Sequence, residues 1–350
     1  MYKLWNNKLA FPKYEEMRTI HNIDFINVHT AIKDEYQFLL GAAIIKHKDV
    51  FYASWGNSFR MENDDNTILA QKCSFDGGKT WSDYRKISKT DKGYGRSHGV
   101  YFEYKDILYA FCPKAKYDSL DAYPDLKMEA YKLDETGEWV CLGVVLDEDF
   151  WPMCEPIRLD NGTFLMAGLK TDTAEAAIAL CDGKNITKWE MKKIPNPENF
   201  EYWGETTVLK QNDKLIAIVR GGKGAECILV SESYDNGVSW SGLEKSNFEI
   251  SNSKMYAGTL SNGNNYIVFN AKSENYRETL CIATGRELFD KVYVIRHGFE
   301  NPPLYWDTNE WCYPYAYEDD GNLYVVYAKN KEDCELAIIP LESIEEVCYE

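Results

Sequence analysis

The sequence predicts an all-β chain folded as one six-bladed β-propeller over residues 1–350. Three observations carry this expectation. Strand signals are short and frequent, helical periodicity of any length is missing, and one strand–turn–strand unit recurs at the length of a propeller blade.

The strand signals run from Ala42-Ala43-Ile44-Ile45 and Val50-Phe51-Tyr52-Ala53-Ser54-Trp55 to Leu323-Tyr324-Val325-Val326-Tyr327. Each is rich in β-branched or aromatic residues and is bounded by Gly, Asn or Asp. The recurring unit is a polar residue, an apolar pair, a polar turn and an apolar strand. It begins at His98, Glu155, Glu205, Tyr256 and Tyr313, with turns at Lys105-Asp106, Asn161-Gly162, Asn212-Asp213, Asn262-Gly263 and Asp320-Gly321. A weaker copy begins near His29. The starts are spaced by 69, 57, 50, 51 and 57 residues, close to one four-stranded blade. Blades are expected at 24–90, 92–147, 150–197, 201–249, 253–299 and 305–342.

The fourth unit is the clearest. Tyr202-Trp203-Gly204-Glu205-Thr206-Thr207-Val208-Leu209 and Leu215-Ile216-Ala217-Ile218-Val219-Arg220 are two apolar runs around a polar turn. Paired as a hairpin, they place Glu205 and Arg220 together at one rim.

A second repeat agrees in phase. Ser74-Phe75-Asp76-Gly77-Gly78-Lys79-Thr80-Trp81 and Ser233-Tyr234-Asp235-Asn236-Gly237-Val238-Ser239-Trp240 share Ser-x-Asp-x-Gly-x-Thr/Ser-Trp and lie 159 residues apart, three blades of 53. In this pattern the Asp bonds turn amides, the Gly permits positive φ, and the Trp packs back on the sheet.

Bulk composition narrows the function. With 350 residues, 45% of them apolar, the chain can bury a large core, and its net charge of −17 argues against a nucleic-acid partner. No apolar run approaches membrane-spanning length and the N-terminus has no signal-like apolar region, so a cytoplasmic protein with no membrane partner is expected. The ten cysteines form no Cys-x-x-Cys pair, and Cys112, Cys141, Cys181, Cys227 and Cys281 sit in apolar runs as reduced core residues. No nucleotide fingerprint, phosphate loop or metal-ligand spacing is present, so no cofactor and no metal are expected. The 25 tyrosines and 10 tryptophans suit an oligosaccharide substrate, whose apolar faces stack on rings.

At the hub of a propeller the starts of the inner strands converge on one mouth. That gathers His29, His98, Glu155, Glu205, Tyr256 and Tyr313, with Arg96, Arg158, Arg220 and Arg277 close by in sequence. Trp151 and Trp203, each shortly before a strand-start Glu, are candidate sugar platforms or rim packing. Three chemistries fit. Tyr313 can act as nucleophile, helped by Glu205, while Asp64 or Asp65 protonates the leaving oxygen. Glu155 and Glu205 can act as a carboxylate pair. Or His98 with Tyr256 or Tyr313 can abstract the C5 proton of a uronate while Arg220 and Arg277 neutralise its carboxylate, which is lyase chemistry. A non-catalytic carbohydrate-binding propeller is the further alternative.

The two octapeptides resemble the Asp-box, or bacterial neuraminidase repeat, of the sialidase superfamily. The resemblance implies the six-bladed fold and an exo-acting glycoside hydrolase that cleaves a terminal, acidic sugar from an oligosaccharide. It also implies roles. Glu205, Arg220 and the second Asp-box follow the family order, in which the Glu polarises a tyrosine nucleophile and the Arg binds the substrate carboxylate. Arg277 resembles the next-blade arginine. Tyr313, eight residues before Gly321, has the nucleophile's spacing, with Pro314 where Ser is usual and Tyr315 as a nearby competitor. Two features depart. Asn27-Val28-His29-Thr30 stands where the family has its first arginine, and in the loop before the first Asp-box Glu62-Asn63-Asp64-Asp65, with Asp65 the residue taken for the role, matches the family's acid only loosely. The resemblance therefore points to a member acting on a sugar other than sialic acid.

Overall fold

The structure is a computed structural model that describes residues 1–59, 61–62, 64–116, 123–222, 226–299, 302–306 and 308–345. The strands form six sheets of four or five strands each, antiparallel apart from one added edge strand, arranged as the expected six-bladed propeller. Blade one holds Phe38–His47, Val50–Ser58, Ile68–Ser74 and Arg85–Lys86. In blade two, Gly95–Arg96 and Val100–Tyr104 form a split inner strand, followed by Ile107–Ala115, Lys127–Leu133 and Trp139–Leu146. Blade three is split in the same way at Trp151–Pro152 and Ile157–Arg158, then continues through Phe164–Lys170, Glu175–Cys181 and Glu190–Lys193.

Tyr202–Gln211, Lys214–Gly221, Cys227–Ser233 and Glu244–Glu249 make blade four. Blade five is Tyr256–Thr259, Asn265–Asn270, Thr279–Gly285 and Phe289–His297, with Arg18–Thr19 added in parallel at its outer edge. In blade six, Trp311–Asp319, Asn322–Lys329 and Asp333–Pro340 are completed by Asp24–His29 from the start of the chain. Repeat spacing alone assigns that strand to the opening of blade one. Pairing it last ties the two ends of the chain together and covers an otherwise open sheet edge.

The turns behave as their residues require. Lys105, Asp106, Asn212, Asp320, Gly162 and Gly263 all take positive φ. Both Asp-boxes close the same way. Asp76 Oδ1 accepts the Thr80 amide at 2.9 Å and Oδ2 accepts the Thr80 hydroxyl at 2.6 Å, while Trp81 Nε1 donates to the Gly78 carbonyl at 3.0 Å. Asp235, Ser239, Trp240 and Gly237 repeat these bonds at 2.9, 2.5 and 3.0 Å. They link the third and fourth strands of blades one and four.

Packing follows the blades. One large apolar cluster runs through the sheets, and a second gathers blades four and five against the N-terminal segment through Leu4, Trp5 and Met17. The described cysteines are free thiols.

Candidate active site

Strand irregularities at the blade starts build the site. In blade four the pairing runs Tyr202 to Gly221, then Thr206 to Val219, so Trp203, Gly204 and Glu205 bulge opposite Arg220. In blade six it runs Cys312 to Ala328, then Tyr315 to Val326, which throws out Tyr313 and Pro314. Such bulges re-aim side chains at the rims of sheets. Gly204 is required there, because a Cβ would sit 2.3 Å from the Glu175 carbonyl carbon. Tyr313 and Arg277 both hold φ of +53°, an unfavourable conformation for residues with side chains.

These residues line a cavity of about 350 Å³ at one mouth of the propeller, which is ample for a monosaccharide. His98, Trp151, Trp203, Glu205, Arg220, Arg277 and Tyr313 all reach it. So do Glu62, Tyr123, Trp306 and Lys331, which the strand-start argument did not single out.

Its charges come in pairs. Arg220 Nη1 donates to Glu205 Oε2 at 2.7 Å, and Arg277 Nη1 to Glu310 Oε2 at 2.6 Å. Lys331 Nζ lies 3.0 Å from Glu62 and 3.6 Å from Glu310. Asn252 ties the two arginines, its side chain accepting from Arg220 Nε at 2.5 Å and its carbonyl from Arg277 Nη2 at 3.5 Å. The Arg277 guanidinium stands 5.6 Å from the centre of the Tyr313 ring.

Burial pushes the Tyr313 phenol well above the ordinary tyrosine value. The charges of Glu205 and Glu62 add to this, and Arg220 and Arg277 pull it back. Its ring meets His98 edge-on at 5.7 Å. His98 is pushed down to about 3, by burial first and then by the charge of Lys254, so it is a neutral imidazole at pH 7. Trp151 fixes its backbone by donating Nε1–H to the His98 carbonyl at 2.9 Å. Gly41 leaves room for the ring, since a Cβ there would lie 2.3 Å from it.

Other expected site residues lie elsewhere. His29, on the outer strand of blade six, stacks on Trp55 at 4.7 Å and borders a different cavity with Lys72 and Tyr84. Arg96 is fully buried against Glu129 and Asp91, at 3.0 and 2.7 Å, and so serves the blade interior. Arg158 is exposed on its short strand. Glu155 accepts from the Tyr256 and Tyr315 hydroxyls at 2.7 and 2.6 Å and borders a second cavity of about 260 Å³, away from the mouth. Glu155, Tyr256 and Tyr315 therefore do not line the mouth. Asp65 is exposed outside the cavity, and Asp64 is occupied with the amides of Phe59 and Asn66. From the same loop, Glu62 is the carboxylate that reaches the cavity.

Of the residues missed, Glu310 directly precedes the inner strand Trp311–Asp319, a carboxylate near a strand start that the sequence did offer. Lys331 sits in the turn between two strands, with φ of +54°. Nothing in the local sequence aims it inward.

Among the described residues, no group of three or more His, Cys, Asp or Glu is placed to hold a metal ion, and no helix is long and apolar enough to cross a membrane.

The BNR repeat-like domain profile matches residues 129–325. A search of curated proteins finds no match. Among solved structures, a Dyadobacter fermentans protein of unknown function is similar at TM-score 0.71 and 14% identity, covering 92% of this chain and all of that one. A Hadza microbial sialidase is similar at TM-score 0.69 and 13% identity, covering 91% and 68%. The intramolecular trans-sialidase of Ruminococcus gnavus, solved with oseltamivir carboxylate, is similar at TM-score 0.67 and 12% identity, covering 92% and 98%. At these identities the likeness speaks for the fold.

Proposed function

Because the chain belongs to the BNR repeat-like domain family, within the sialidase-like superfamily, we propose that it is an exo-acting glycoside hydrolase that removes a terminal acidic sugar from an oligosaccharide. One observation carries the reading: Tyr313, thrown out by its bulge, lines one cavity with Glu205, Arg220 and Arg277, the Arg277 guanidinium 5.6 Å from its ring.

In this reading the substrate carboxylate rests against the two guanidinium groups, which places the anomeric carbon over Tyr313. The Tyr313 oxygen attacks that carbon as Glu205 takes the phenol proton, and the departing oxygen takes a proton from water, leaving hydroxide. That hydroxide cleaves the glycosyl–tyrosine bond, and Glu205 returns its proton to the phenol oxygen. A tyrosine suits this centre because a carboxylate nucleophile would meet the substrate's own negative charge. Trp151 and Trp203 offer faces for the sugar ring.

A panel of fluorogenic glycosides of acidic sugars tests the reading. Release of the fluorophore from at least one, lost in Glu205→Gln, supports it; no release from any member rejects it.

A second reading rests on His98. A neutral imidazole against Tyr313, beside two arginines, also suits abstraction of a uronate C5 proton followed by elimination. Only that reaction leaves an unsaturated product, which absorbs near the ultraviolet edge.

A further inference from the structure

The proposed hydrolysis gives no role to the buried cation Lys254. Lys254 is 3% exposed, two residues before the inner strand of blade five, and does not line the cavity. Its ammonium donates to the Pro314 carbonyl at 3.3 Å, and no carboxylate of the described residues lies within ion-pair distance of it. A buried ammonium with so little compensation is costly to keep.

Its surroundings show what that cost maintains. Pro314 is the second residue of the bulge that projects Tyr313, and Tyr313 holds an unfavourable φ. A strained peptide persists only where its neighbours fix it, and Lys254 grips this one from an adjacent blade. The charge also acts on groups from every side: Glu205 of blade four, Cys154 and Glu155 of blade three, and His98 of blade two. Burial pushes Lys254 down, and the two glutamates with Cys154 pull it part of the way back.

We propose that Lys254 is the positioning residue of this site, holding the Tyr313–Pro314 bulge in place and supplying a positive charge that acts on Glu205. This rests on the hydrolase reading for its kinetic consequence, while the geometric part stands without it. Lys254 touches neither substrate nor reacting atoms, so it acts only through Tyr313 and Glu205.

Three variants separate the two parts. Lys254→Arg keeps charge and donor, Lys254→Gln keeps a donor without charge, and Lys254→Met keeps neither. With an acidic glycoside, Lys254→Met is expected to lower kcat about 10-fold or more, with KM changed less than about threefold. In Lys254→Met and Lys254→Gln the acid limb of the kcat/KM profile moves to higher pH, because the site's carboxylates lose a stabilising cation. Lys254→Arg retains the wild-type limb. A purely structural lysine would lower stability and leave that limb in place, which would overturn the charge role.

Crystal structures of the ligand-free variants test the geometry whether or not a substrate is known. Tyr313 is expected to leave its left-handed conformation in Lys254→Met and to keep it in Lys254→Gln. An unchanged bulge in Lys254→Met overturns the positioning role. If the wild type cleaves no acidic glycoside, the hydrolase reading and the charge role fall together, and these structures still decide the rest. If Lys254→Met does not fold, the acid limb of Lys254→Gln decides the charge role, and a shift of the Tyr313–Pro314 peptide in Lys254→Arg, whose longer fork cannot occupy the same point, decides the grip.

Discussion

Glu205 and Arg220 face each other across one hairpin, joined by a 2.7 Å charged hydrogen bond whose arginine also reaches Asn252 at 2.5 Å. Asn252 in turn meets Arg277. Glu205, Arg220, Asn252 and Arg277 are thus one connected unit. Changing the shape of one guanidinium should weaken substrate binding before it affects chemistry. Arg277→Lys keeps the charge but loses the planar fork, and should raise KM for an acidic glycoside about 10-fold with a smaller change in kcat. Steady-state kinetics on the two proteins check this.

Glu155 gives the opposite expectation. Its oxygens are taken by the Tyr256 and Tyr315 hydroxyls, and it lies away from the mouth. Glu155→Gln should keep kcat within about threefold of wild type while lowering stability by about 1–2 kcal/mol, as two charge-assisted hydrogen bonds weaken. A collapse of kcat with intact folding would restore the carboxylate-pair mechanism.

Acid sensitivity should come partly from two histidines. Burial lowers His98 to about 3 and His29 to about 4, from an ordinary 6.5. The unfolded chain therefore binds more protons than the folded one below pH 6.5. The stability these neutral rings permit is fully present above that pH and is lost as pH falls toward 4 and then 3. The urea midpoint of the wild type should drop across this window. In a His29→Gln/His98→Gln double variant it should drop less, although its value at pH 7 should be lower.

Arg96, expected at the mouth, belongs to a buried network with Glu129 and Asp91, and Tyr131 donates to Glu129 at 2.8 Å. Breaking such a pair leaves a buried charge uncompensated. Glu129→Ala should cost about 3–5 kcal/mol of unfolding free energy, with KM unchanged at temperatures where the variant stays folded. Denaturant titration and kinetics at low temperature measure both.

The fold was legible because a propeller writes its period into the chain, and the two Asp-boxes kept phase with the strand starts. The Glu205–Arg220 pair was legible for the same reason, since a hairpin brings its ends together. Three kinds of information were not local. Repeat spacing puts His29 in blade one and does not show that its strand, Asp24–His29, closes the last blade. Strand starts do not all face the mouth, because a bulge or a split inner strand changes which residue points where. That is why Glu205 and Tyr313 reach the cavity while Glu155, Tyr256 and Tyr315 meet below it. Glu62, Lys331 and Lys254 come from loops and turns, whose direction is set by contacts made only when the ring of blades closes.

Attack of Tyr313 on the sugar is tested most directly by the turnover of Tyr313→Phe. The change removes one oxygen and leaves the ring under Arg277. On an acidic glycoside cleaved by the wild type, kcat is expected to fall at least ~100-fold with KM nearly constant. Turnover near the wild-type rate would contradict the account.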